Sequence, residues 1–131
     1  MSTAELTDAI TARARGDDAV YLQRAPNDVQ GTYAVIHVDL YGREDLQTQT
    51  LDVRVEVNSQ TTAKDARDLA DRIEARLHGW APMQAGTASA LVHESTQDIP
   101  DDQNDPLSTR LVSRYVGVWS SSARAAALAQ N

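Results

Sequence analysis

TTAKDARDLADRIEARLHG, Thr61 to Gly79, is the stretch whose reading decides the fold. Its apolar residues Ala66, Leu69, Ala70, Ile73 and Leu77 recur at i, i+3, i+4 and i+7 spacings, which paints one stripe along a helix of 3.6 residues per turn. Lys64, Asp65, Arg67, Asp68, Asp71, Arg72, Glu74 and Arg76 fall on the other side, so that side is wet. Thr61 or Thr62 supplies a cap for a first-turn amide, and Asp65 puts negative charge near the positive helix end. Arg76 and His78 lie near the opposite pole, and Gly79 can take the left-handed conformation that stops a helix. A helix with a single apolar stripe needs a surface to cover, and the segments on both sides of it read as strands.

Upstream, Thr48 to Asn58 alternates Leu51, Val53, Val55 and Val57 inward with Thr50, Asp52, Arg54, Glu56 and Asn58 outward. Tyr33 to Tyr41 is a second strand, with Ala34, Ile36, Val38 and Leu40 on one face and Tyr33, Val35, His37, Asp39 and Tyr41 on the other. The charged turn Gly42 to Asp45 joins the two as an antiparallel hairpin. Ahead of them, Ser2 and Glu5 suggest a capping box for a short helix with a thin stripe of Leu6, Ala9, Ile10 and Ala14, ended by Gly16 and expected at the edge of the core. Val20 to Leu22 is a short extended piece, followed by a loop at Ala25 to Asp28.

Downstream, Trp80 to Thr87 holds Pro82 and Gly86 and reads as a loop, with Trp80 folded back as a lid on the core. Ala88 to Gln97 is a third main strand, Ile99 to Pro106 a solvated excursion, and Leu107 to Trp119 a fourth strand. The fourth strand is mixed on both faces, as expected if one lies against the helix and the other against a neighbouring subunit. The assembled expectation is an α+β two-layer sandwich, a mainly antiparallel four-stranded sheet with one long and one short helix on one face. Residues 1–119 form one domain, and 120–131 a flexible Ser- and Ala-rich tail.

Composition narrows the function. A net charge of −7 at a pI near 4.7 excludes a general nucleic-acid coat binder, which needs clustered Lys and Arg to neutralise phosphates. The absence of Cys removes disulfides, thiolate zinc sites and a Cys nucleophile. No stretch reaches the roughly 18 apolar residues of a membrane span, and no basic-then-apolar leader opens the chain. The expected place is a cytoplasm, or a particle assembled there.

Catalytic signatures are missing. His37, His93, Asp39 and Glu94 could approach a metal if their strands paired, but Glu94 points opposite to His93, and no helical His pair or H-E-x-x-H spacing occurs. Ser120, Ser121 and Ser122 lack a nucleophile elbow. No Gly-x-Gly-x-x-Gly, Walker or EF-hand pattern is present. The expectation is a binding or structural protein with no catalytic residue, metal or cofactor.

The element order carries a resemblance. YLQRAPND (Tyr21 to Asp28), YAVIHVD (Tyr33 to Asp39), TLDVRVEV (Thr50 to Val57), AKDARDLADRIEARLH (Ala63 to His78) and SRYVGVW (Ser113 to Trp119) together resemble the tail-terminator, or tail-completion, proteins of long-tailed bacteriophages. The resemblance implies an α+β subunit of a homo-hexameric ring in the virion tail or neck. Such a ring caps the tail tube protein, stops its polymerisation and joins the head connector proteins. DNA would be only passing cargo in the lumen, and no membrane is involved. An acidic balance suits that channel, because it does not grip a moving genome. Alternatives are another head-tail joining, neck or minor tail protein, and, in another class, a small acidic inhibitor or antitoxin-like module. Subunit or tube contacts are expected in the loops, at Arg43, Glu44 and Asp45 and at Asp101, Asp102 and Asp105, with Arg54, Arg110 and Arg114 as charged partners across a subunit boundary.

Overall fold

The computed structural model describes residues 3–26, 29–42, 49–82, 89–99 and 109–119. The elements are α1 (Thr3–Arg15), β1 (Val20–Leu22), β2 (Thr32–Tyr41), β3 (Gln49–Ser59), α2 (Ala63–Leu77), β4 (Val92–Ile99) and β5 (Thr109–Trp119). The architecture is the expected α+β sandwich, extended by a fifth strand. One sheet runs in the order β1-β2-β3-β5-β4, with α1 and α2 on one face. All its pairings are antiparallel except β1 with β2.

α2 forms where the stripe predicts it. Thr62 is the N-cap, its hydroxyl accepting the Asp65 amide at 3.0 Å, while the Thr61 hydroxyl donates to the Asp65 carboxylate at 2.6 Å. These two hydroxyls, Thr61 first, hold the Asp65 carboxyl below its ordinary range. At the other end Gly79 has φ +81, the left-handed stop. Ala66, Leu69, Ala70, Ile73 and Leu77 are the buried residues. Burying Leu69, Ile73 and Leu77 contributes roughly 5–9 kcal/mol of transfer free energy, an upper figure because the unfolded chain already hides part of that area.

The stripe meets Leu51, Val53, Val55 and Val57 of β3 and Leu111, Tyr115 and Trp119 of β5, with Ala34 and Ile36 of β2 completing the floor. Val38, Leu40 and Trp80 pack half-buried at the margin, Trp80 under the guanidinium of Arg13 at 5.6 Å. The thin stripe of α1 lies deeper than the edge position expected for it, because Leu6, Ile10 and Ala14 are fully buried against α2 and β1.

Arg76 joins the two helices. Its Nη1 donates to the carbonyls of Ala14 and Arg15, at 2.9 and 3.1 Å, and lies 2.8 Å from Asp18 Oδ2. The last turn of α1 thus receives a cation from α2 where its unpaired carbonyls concentrate negative charge. Gly16 makes room: its φ is +49, and a Cβ there would stand 2.6 Å from the Arg76 guanidinium carbon. Asp18 also takes a two-pronged contact from Arg72, at 3.0 and 3.1 Å.

Two segments depart from the sequence reading. Val20–Leu22 pairs in parallel with Ala34–Ile36 as an edge strand. The third main strand runs Val92–Ile99 instead of Ala88 to Gln97. Leu91 is buried just ahead of it, but its amide and carbonyl bond Trp80 and Gly79 rather than β5. A bulge then falls between His93 and Ser95. The expected Ser2 cap, the 120–131 tail and the Gly86 loop lie outside the described residues.

Candidate functional site

The helices cover one side of the sheet, and the other side carries the outward residues of each strand. Their register sets them in cross-strand rows. Tyr41, Thr50 and Val118 form the row at one end, followed by Asp39, Asp52, Val116 and Val92. Next come His37, Arg54, Arg114 and Ser95, then Val35, Glu56, Val112 and Gln97. Tyr33, Asn58, Arg110 and Ile99 form the row at the far end. Tyr41, Val92 and Val118, at 54%, 52% and 46% exposure, are large apolar side chains open to solvent, and all three stand toward the first end.

Neighbouring rows exchange ion pairs. Arg114 takes both oxygens of Asp52, at 3.1 and 3.3 Å, and reaches Glu94 at 3.3 Å. The Asp52 carboxylate, followed by that of Glu94, strengthens the hold of Arg114 on its proton. Arg110 lies 3.0 Å from Glu56, whose carboxylate is also 3.9 Å from His37. Arg54 stands apart. Its direct neighbours across the strands are Arg114 and His37, and among the described residues it forms no ion pair. The Asp52 and Glu56 carboxylates flanking it on β3 are already engaged by other cations. Like charges directly opposite one another cost stability in a sheet.

A groove of about 540 Å³ borders these rows at the Arg110 end, between the strand faces and the segment leaving β1. That segment turns sharply: the Arg24 amide donates to the Leu22 carbonyl at 2.7 Å around Gln23, whose φ is +65. This three-residue turn is the rare, strained form for a residue with a side chain. It places exposed Arg24 on the wall of the groove, again without an ion pair among the described residues.

Of the residues expected at contacts, Arg54, Arg110 and Arg114 share this one face, while Arg43, Glu44, Asp45, Asp101, Asp102 and Asp105 lie outside the described residues. The strand ends that bound those two connections are informative. Tyr41 and Gln49 bracket residues 43–48 at the Val118 end of the sheet, and Ile99 and Thr109 bracket 100–108 at the opposite, Arg110 end.

The histidines do not converge. His37 sits on the open face beside Glu56, whereas His93 turns toward α2, its Nδ1 2.9 Å from Glu74. Glu94 points away from it, to Arg114. His93 Nε2 bonds the Thr96 hydroxyl at 2.7 Å, and Thr96 bonds the Ser113 hydroxyl at 2.9 Å. Nδ1–H donates to Glu74, and Nε2, the Thr96 hydroxyl and buried Ser113 continue the line of hydrogen bonds. The chain fastens β4 to α2 and β5. Sequence periodicity misses it because the bulge puts His93 and Thr96, three residues apart, on the same side.

No curated protein matches the sequence. A chain of the solved structure "Virion of native gene transfer agent (GTA) particle" matches with a TM-score of 0.72 and 18% identity, covering 92% of this chain and 100% of that chain. At that identity the likeness is one of fold. Residues 2–116 match the sequence family described as Tail completion protein gp17.

Proposed function

Because the chain belongs to the Tail completion protein gp17 family, we propose that it forms a ring that caps the tail tube, ends tube polymerisation and joins the tail to the head connector. As a family member it is a structural, non-enzymatic protein of the phage tail, carried in the virion at the tail or neck. The ring is a homo-hexamer, and DNA crosses its lumen without being gripped, in keeping with the net charge of −7.

The observation that carries this reading is the two-ended subunit. The connections 43–48 and 100–108 leave opposite ends of the sheet, so the two ends of one protomer differ, as suits a ring set between two different neighbours along a tail axis. Arg43, Glu44 and Asp45 belong to the connection at one end, and Asp101, Asp102 and Asp105 to the connection at the other. Between them the open face, with Arg54, Arg110, Arg114 and the exposed Val92 and Val118, is the side turned to the next subunit. An open sheet face with exposed apolar side chains and an unmatched Arg54 is what an interface covers.

Light scattering coupled to size exclusion, with negative-stain imaging, tests the ring. Multimers of fixed size that form alone or on tail tubes are expected. A protein that stays monomeric at high concentration, and still does so with tube protein present, removes the reading.

A further inference from the structure

We infer that the groove walled by Arg24, together with Arg54 beside it, receives the acidic segment Asp98 to Asp105 of a second copy of this chain. The inference rests on the ring reading and names the contact within it.

Electrostatics select the occupant. Arg24 and Arg54 are exposed guanidinium groups with no ion pair among the described residues, on a face where Arg110 and Arg114 are both matched to carboxylates. Arg114 stands directly opposite Arg54 with like charge, and the carboxylates beside it are committed elsewhere. An incoming carboxylate therefore relieves repulsion as well as gaining attraction. Asp98, Asp101, Asp102 and Asp105 place four acids in eight residues with no Lys or Arg among them. That is the densest run of one sign in the chain.

Position agrees with charge. Cyclic symmetry keeps all subunits of a ring at one height. The acidic segment of one copy leaves its sheet at the Ile99 and Arg110 end, and the groove of the next copy opens at that same end, beside Tyr33, Asn58 and Arg110. The two features meet side to side without a tilt. The contact is heterologous, groove to segment, as ring closure requires.

The test uses the full chain in four forms: wild type, R24E/R54E, D101K/D102K/D105K, and the combination of both. Circular dichroism melts check folding, which the exposed arginines leave intact. Self-association is read by light scattering, alone and on tail tubes. The expected result is a loss of assembly of roughly tenfold or more in each charge reversal, and recovery in the combination. R24E/R54E assembling like wild type overturns the inference and leaves the ring reading standing. Loss in R24E/R54E with no effect of the segment reversal overturns it in favour of a different occupant. A lowered melting temperature in R24E/R54E with unchanged assembly puts the segment on its own groove and also overturns it. Wild type that never assembles sinks the ring reading and this inference together.

Discussion

Replacing Gly16 by Ala perturbs the joint between the helices at one atom. The backbone there has φ +49, and holding an L-residue in that region costs about 1–2 kcal/mol. The added Cβ would stand 2.6 Å from the Arg76 guanidinium carbon, so the flexible arginine must swing out. In leaving, it gives up its bonds to the Ala14 and Arg15 carbonyls and its 2.8 Å contact with Asp18. Arg76 is 26% exposed, so water replaces part of what is lost, and about 1–2 kcal/mol remains. The sum is roughly 2–4 kcal/mol, close to 10 °C in melting temperature for a domain of this size. A double-mutant cycle in urea separates the two parts. In an Arg76→Ala background, Gly16→Ala should cost only the backbone part, leaving a coupling of about 1–2 kcal/mol. A cost that is the same with and without Arg76, or a Gly16→Ala protein within about 0.5 kcal/mol of wild type, refutes the clamp.

Asp18 makes the same joint sensitive to acid. The hydrogen bond from Arg72 is the main cause lowering its pKa below 3.8; burial opposes this, and Arg76 adds to the lowering. Its stabilisation is therefore full above the unfolded value and is lost as pH falls through the lower folded value. Asp18→Asn should cost about 1–2 kcal/mol at neutral pH and flatten the acid limb of a stability–pH profile; an unchanged limb removes Asp18 from that role. Thr96→Val should destabilise by about 1–3 kcal/mol in urea, because His93 Nε2 and buried Ser113 both lose their partner, whereas Thr96→Ser should retain most of the stability. Equal losses in the two variants would mean that packing, not the hydroxyl, matters at that position. Tyr115 is fully buried, its hydroxyl has no hydrogen-bond partner among the described residues, and burial, with Glu74 and Asp71 adding, pushes its pKa up. Tyr115→Phe should thus be neutral or stabilising by up to about 1 kcal/mol in thermal melts, and a clear loss would reveal a partner for that hydroxyl.

The sequence speaks most clearly where one period dominates. The stripe from Ala66 to Leu77 names the same five residues that the structure buries, and the alternation of β3 assigns both of its faces. Legibility fades where long-range pairing decides. Three residues of β1 contain less than two periods, and only Ala34 to Ile36, more than ten residues on, make them a strand. The start of β4 is hidden because Leu91 looks like strand but spends its backbone on Gly79 and Trp80, and the bulge then breaks the two-residue period. The open face is legible in kind and not in detail. Arg54, Arg110 and Arg114 are visible as exposed cations, but only the register shows that Asp52 and Glu56 engage two of them and leave Arg54 unmatched.

The unequal lengths of the ladders fix the order in which the native structure can come apart. β3 is bonded along its length on both sides, to β2 and to β5, so exposing its amides to exchange with solvent requires two ladders to open together. β1 is held by three partner positions at the rim. Hydrogen exchange should begin there, at the Arg24 wall of the groove, and reach the centre of β3 only with global unfolding. The subunit therefore pairs a weakly laddered margin, beside the groove, with a midline held on both sides, which carries the charged rows.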